Sequence, residues 1–151
     1  CRCHRRHLQG SDSRTEQELQ VLGEALREIM DYAYRSFTAV DAQTARRIEP
    51  VEEVVDDMVA TLRTNHIRRL RDGQCTVYAG LVFLDILINA ERIADQCSNL
   101  GVYTISQFDP SVMNSHHEYI HRLHQGNDPV FNREYQEKHE KYFGMLSAIN
   151  D

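Results

Sequence analysis

Glu91, Asp95 and Asn99 stand four residues apart in the segment Asn89-Ala90-Glu91-Arg92-Ile93-Ala94-Asp95-Gln96-Cys97-Ser98-Asn99. On a helix they stack on one face. At about 100° per residue, that face continues the line of Val77, Leu81, Leu84 and Ile88, so an apolar stripe becomes a carboxylate stripe halfway along. Buried carboxylates are costly unless a cation or a full set of hydrogen bonds compensates them. A matching pair, Glu52 and Asp56, lies at the edge of a second apolar stripe, beside Val55 and Val59. Glu53 and Asp57 have the same spacing but point well away from that stripe. Two such pairs on adjacent helices can supply several oxygens to one cation or a small cluster, of iron, zinc, manganese, magnesium or calcium. Glu52, Asp56, Glu91 and Asp95 are therefore the candidate metal ligands. The competing account makes them solvated helix faces, with Arg92 neutralising Glu91 or Asp95 as a surface ion pair.

Two weaker constellations exist. His116, His117, His121 and His124 gather in one short segment. His117 and His121 share a helix face as zinc ligands would, and Glu118-x-x-His121 matches the E-x-x-H of di-iron bundles, which use two copies where this chain has one. Cys1-x-Cys3-His4-x-x-His7 has metal-binding residue types but reads as a terminal linker. No glycine-rich phosphate loop, Ser-His-Asp set or HExxH motif is present.

The elements that must carry these residues read as helices. Three prolines and seven glycines in 151 residues leave few interruptions. Residues 1–13 are basic and expected to be structureless. Thr15 with Glu18 forms a capping box, and Leu19, Leu22, Leu26, Ile29, Ala33, Phe37 and Val40 recur at three- and four-residue steps. The helix either runs to Glu49 and stops before Pro50 or stops near Val40, and the second reading is preferred because it gives three helices of more similar length. Asp41 caps a second one, kinked at Pro50 and closed by Gly73. Its apolar positions are Val51, Val55, Met58, Val59, Leu62 and Leu70, with His66 in the same face and Arg63 near its edge. A third helix over 75–100 stops at Gly101. Its first half is apolar almost all round, which marks it as the most buried. Tyr32, Tyr34 and Tyr78 are expected to pack the bundle with their hydroxyls at the rim. A loop over 102–114, a His-rich helix over 115–125, a turn at 126–129 and a last helix over 131–149 follow. The fold class is all-α, an antiparallel three-helix bundle with C-terminal helices. The domain division is 1–13 linker, 14–101 bundle and 102–151 extension packing on it.

The net charge of −6 argues against a nucleic-acid binder and suits a cation. The longest apolar stretch, Leu81–Ala90, contains Asp85 and is too short to span a bilayer, which needs roughly 20 residues. Cys75 and Cys97 are 22 positions apart in one helix, roughly 33 Å along its axis, so they cannot pair; a reducing setting fits. The chain lacks an initiator Met and looks like part of something longer.

The segment Asn89–Asp95 resembles the PhoU family signature, a helix reading roughly N/D-L-E-R-I-G-D. Glu52 followed by Val55-Asp56-Asp57-Met58 resembles the family's other acidic motif, and Asp41 through Ile48 its helix start. Leu62-Arg63-Thr64-Asn65-His66-Ile67-Arg68-Arg69-Leu70 is similar to the PhoU-like tails of bacterial sodium/phosphate cotransporters. The resemblance implies a three-helix module whose metal motifs are Glu52 and Asp56, then Glu91 and Asp95, and a regulatory, non-enzymatic role in phosphate uptake. It implies a site at the cytoplasmic side of the bacterial inner membrane, against the transmembrane part of a phosphate transporter. Ala90 and Ala94 stand where the family has Leu and Gly. Only one of the family's two bundles is visible, so dimerising is one way to complete the site. Two alternatives remain open: a di-metal enzyme using Glu52, Glu91, Glu118 and His121, and a purely structural bundle that dimerises through its apolar faces.

Overall fold

The computed structural model describes residues 2–114 and 116–150, and the side chains of 13–114, 117–126 and 128–149. The side chains of Cys1, Cys3, His4, His7 and His116 lie outside the described residues. Helix α1 spans Arg2–Ala39, so the basic stretch expected to be structureless continues the helix; it contains no proline, and its arginines, leucine and glutamine are good helix formers. Glu18 is not a capping residue. It is buried and accepts from both terminal nitrogens of Arg69, at 3.0 and 2.7 Å.

α1 ends where Val40 takes a φ of 50°, a left-handed conformation that a β-branched residue rarely adopts. Asp41 then accepts a hydrogen bond from the Gln43 N–H at 2.9 Å and caps α2 (Ala42–Ala45). The chain turns at Arg46 and Arg47 before α3 (Ile48–Arg71). The expected second helix is thus two helices. Pro50 sits in the first turn of α3, where its missing N–H costs nothing, and does not kink it. Gly73, with φ of 67°, closes α3, its N–H bonded to the Leu70 carbonyl and that of Gln74 to the Arg69 carbonyl. Thr76 accepts from the Ala79 N–H and starts α4 (Val77–Ser106).

α4 runs through Gly101 without stopping. A Cβ at Gly101 would lie 2.9 Å from Ile48 Cδ1 and 3.3 Å from the Ala45 carbonyl oxygen. The glycine therefore permits close helix approach and does not end the helix. After α4 come α5 (Pro110–Asn114), α6 (His116–Arg122) and a wide helical turn, Leu123–Asn127, broken by Gly126 at φ 77°. Asp128 accepts from the N–H groups of Val130 and Phe131, both at 2.9 Å, and opens α7 (Pro129–Asn150). No strand occurs among the described residues; the fold is all-α.

Antiparallel pairing follows from the cross-helix contacts. Glu18 meets Arg69 while Arg47 lies over Tyr32, and Arg63 meets Glu91 while Glu49 meets Ser98. α1, α3 and α4 form the bundle. α7 packs against α1 and α3, opposite α4. This makes α3 the central helix, buried through Val51, Val54, Val55, Met58, Val59 and Leu62. The first half of α4 is accordingly not the most buried part: Val77, Tyr78 and Leu81 are 74%, 79% and 60% exposed. α4 buries Gly80, Phe83, Leu87, Ala90, Ala94 and Cys97, then Ser98, Gly101, Val102 and Ile105, against its neighbours, and among the described residues no helix covers the side that carries Val77, Tyr78 and Leu81. Tyr34 and Tyr78 are exposed; Tyr32 is buried and donates to Glu28 at 3.1 Å. Neither Cys75 nor Cys97 forms a disulfide. Ala45, Val102, Ile105 and Val112 make a second, smaller apolar cluster, against which Tyr119 and Ile120 pack. That cluster holds α6 against the bundle beside the acidic face of α3.

Candidate metal centre

Glu49, Glu52 and Asp56 fall at steps of three and four on α3, so they share one helix face. Pro50 can sit within this turn because it lies at the helix start. Asp95, Ser98 and Asn99 come from the facing stretch of α4. His117, Ile120 and His124 come from α6 and the wide turn. Together these residues, with Glu53 and Gln96, line an open cleft of about 450 Å³.

The structure brings three of the four expected ligands into this cleft: Glu52, Asp56 and Asp95. The fourth, Glu91, lies one turn before Asp95 on α4, outside the lining. Its carboxylate is 3.2 Å from Arg63. Arg63, not Arg92, is therefore its cation. Glu118 and His121 do not line the cleft, and His121 instead pairs with Gln125 at 3.1 Å. The set Glu52, Glu91, Glu118 and His121 does not converge, which removes the geometric basis of the di-metal enzyme.

The cleft contains more than the sequence suggested. Glu49 is buried. Ser98 Oγ donates to its Oε2 at 2.5 Å, and His124 Nε2 lies 2.9 Å from its Oε1. His124 Nδ1 lies 3.0 Å from Glu53 Oε2. Glu53 and Asp57, expected to point away, are half-buried, because α7 and the turn before it cover that side of α3. Tyr135 of α7 donates to Asp57 at 2.5 Å. The signal for Glu49 was its spacing of three from Glu52, hidden by a reading that placed a kink at Pro50 between them. The signal for His124 was membership in the histidine cluster, but no local spacing singles it out from His117 or His121.

Electrostatically the cleft is under-compensated. Burial, then the charges of Glu49, Asp56, Asp95 and Glu53, push the Glu52 carboxyl up to about 9. Burial and the charges of Glu91 and Asp95 push Asp56 up to about 6. Burial raises Glu53 as well. His124 is raised, chiefly by its hydrogen bond to Glu49 and against the effect of burial. One oxygen of Asp56 is buried with no hydrogen-bond partner. Glu52 is only 7% exposed, and no donor or cation among the described residues reaches it. Such an arrangement fits a cation: converging oxygen donors of hard or borderline type, of which Glu52 and one oxygen of Asp56 have no partner among the described residues.

The description "PhoU domain" belongs to a family whose model matches residues 19–104. A curated relative, the phosphate-specific transport system accessory protein PhoU homolog 1 of Thermotoga maritima, is 29% identical over 80 residues. The alignment covers 53% of this chain and 34% of that protein, so the chain spans about a third of the relative's length. No solved structure matches.

Proposed function

The chain belongs to the PhoU domain family, and from that premise we propose that it is a regulatory or accessory domain of phosphate uptake that holds a metal ion in the acidic cleft. The observation that carries the metal reading is Glu52: a carboxylate buried against Glu49, Asp56 and Asp95 that has no hydrogen-bond donor or ion pair among the described residues. Glu52, Asp56 and Asp95 would hold the ion, with Glu91 at the end of the cleft reaching it if Arg63 lets go. Iron, zinc, manganese or magnesium would each accept these oxygens. The role is one of binding and signalling and not of catalysis.

The partner is the transmembrane part of a sodium-dependent phosphate transporter, at the cytoplasmic side of the bacterial inner membrane. Two observations support this. The stretch Leu62–Leu70 resembles the tails of such transporters, and the relative's name places it in a phosphate transport system. No helix among the described residues is long and apolar enough to cross a membrane.

Elemental mass spectrometry on the purified chain tests the metal reading, beside a double Asp56→Asn, Asp95→Asn variant. Stoichiometric metal that the variant loses is the expected result; no metal in either protein sinks it. Phosphate uptake by the transporter with and without this domain tests the partner. Uptake is expected to change, and unchanged uptake would refute the assignment.

A further inference from the structure

We propose that His124, with Glu49 and Glu52, makes the cleft a mixed nitrogen–oxygen site for a borderline divalent transition metal, of which zinc is the probe. This rests on the reading of the cleft as a cation site and narrows the class of ion it takes.

One donor atom from each of Glu49, Glu52 and His124 lies within 4.8 Å of the other two. The 2.9 Å between Glu49 Oε1 and His124 Nε2 is a hydrogen-bond distance; neighbouring ligands of a tetrahedral zinc with bonds of about 2.0–2.1 Å stand about 3.3–3.4 Å apart, so the two donors need to part by only about 0.5 Å. The surroundings already orient both donors. His124 Nδ1 faces Glu53 Oε2 at 3.0 Å. With its hydrogen on Nδ1, the imidazole donates to Glu53 and turns the lone pair of Nε2 toward Glu49 and Glu52. This is the carboxylate–histidine–metal arrangement by which proteins fix a ligand's tautomer. On Glu49, Ser98 occupies Oε2 and leaves Oε1 toward the histidine. Glu52, 7% exposed and without a donor of its own, supplies the third atom. The His124 ring is further held 5.6 Å from the ring of Phe131 at the start of α7.

In the metal-free form a hydrogen on Nε2 bridges to Glu49. The ion takes the place of that hydrogen: a charged imidazole releases one proton to solvent, and the Glu52 carboxyl, where protonated, releases a second as it ligates. A nitrogen ligand selects zinc or iron(II) over magnesium or calcium, which prefer oxygen alone. His124 lies beyond residues 19–104, the part that matches the family. The segment that follows the matched bundle would thus set the metal preference of a cleft that the bundle itself builds.

The test titrates the metal-free chain with zinc chloride and, separately, with magnesium chloride, by calorimetry. Wild type is compared with His124→Ala, Glu53→Gln and the double Asp56→Asn, Asp95→Asn variant. His124→Ala is expected to weaken zinc binding at least tenfold and to leave magnesium binding unchanged. Glu53→Gln, which preserves size, is expected to weaken zinc about tenfold. X-ray absorption at the zinc edge of the wild-type complex, expected to show imidazole scattering, does not depend on any variant folding. Zinc bound without imidazole scattering, and held as tightly by His124→Ala, would overturn this inference while leaving the carboxylate cleft standing. Failure of wild type to bind either ion would overturn both.

Discussion

Glu28 of α1 meets α7 through three side chains: Lys138, Lys141 and Tyr142 donate to its carboxylate, and Tyr32 donates to it from its own helix. Burial opposes its ionisation, but the hydrogen bonds from Lys138 and Tyr142, the Lys138 charge and Lys141 overcome it. The carboxyl is held at about 2 against an ordinary 4.5. Glu28 is 16% exposed, so solvent screens this little. A carboxyl depressed by that amount contributes about 3 kcal/mol to the fold at neutral pH. The sign follows from proton binding. Below pH 4.5 the unfolded chain takes up the proton first, so the contribution is full above 4.5 and declines as pH falls toward 2. Glu28→Gln is therefore expected to lower stability by about 3 kcal/mol at pH 7. In urea, with a slope of about 1.5–2 kcal/mol per molar, the midpoint falls by about 1.5–2 M. The gap between wild type and variant narrows by about 1.4 kcal/mol per pH unit below 4.5. Urea melts followed by circular dichroism at pH 7, 4 and 3 measure all of this. A loss under 1 kcal/mol at pH 7 (about 0.5 M), or a gap that stays constant down to pH 3, would refute the account of α7 docking.

Other positions allow equally direct tests. Val40→Gly removes a β-branched residue from the left-handed region at the end of α1 and is expected to raise stability by about 1 kcal/mol, read by thermal melting. Gly101→Val would drive its side chain into Ile48 and the Ala45 carbonyl and is expected to cost about 2 kcal/mol or more; an unchanged urea midpoint would show that the helices separate freely there. Burial, with the Arg69 charge beside it, lowers the pKa of His66 below its ordinary 6.5. Because the unfolded chain protonates first, stability drops as pH falls below 6.5. His66→Leu is expected to flatten that part of the pH–stability curve, and NMR titration of the ring should give a midpoint below 6.5.

The helical class, the Asp41 cap and the Gly73 stop were legible because each depends on local chemistry. The α3 stripe was legible for the same reason: Val51, Val55, Met58, Val59 and Leu62 are all buried. What failed depended on where other helices pack. Apolar residues all round α4 say nothing of how many neighbours it has, and α7 docks on the opposite side of the bundle. Glu53 and Asp57 looked solvent-facing on a helical wheel of α3 alone; α7 and the wide turn bring Tyr135 and His124 to them. Gly101 read as a helix stop and Gly80 drew no reading at all, yet both mark places where a neighbouring element comes within a side chain's width.

The charge of the cleft bears on how such a domain can be connected with phosphate. A phosphate entering it would face Glu49, Glu52, Glu53, Asp56 and Asp95 from α3 and α4. The histidines His117 and His124 are the basic groups among the lining residues, and His124 is engaged by Glu49 and Glu53. Like charges at these separations repel by several kcal/mol in a half-buried site. Direct phosphate binding there is disfavoured unless a multivalent cation sits between, taking carboxylate oxygens on one side and phosphate oxygens on the other. A bridging ion would also relieve Glu52, the most strongly disfavoured ionised group in the cleft. Phosphate binding, if it passes through this cleft, should then be absent from the metal-free protein and appear on adding zinc. Calorimetric titration of inorganic phosphate with and without the ion separates the two cases, and equal affinity in both would show that phosphate enters elsewhere.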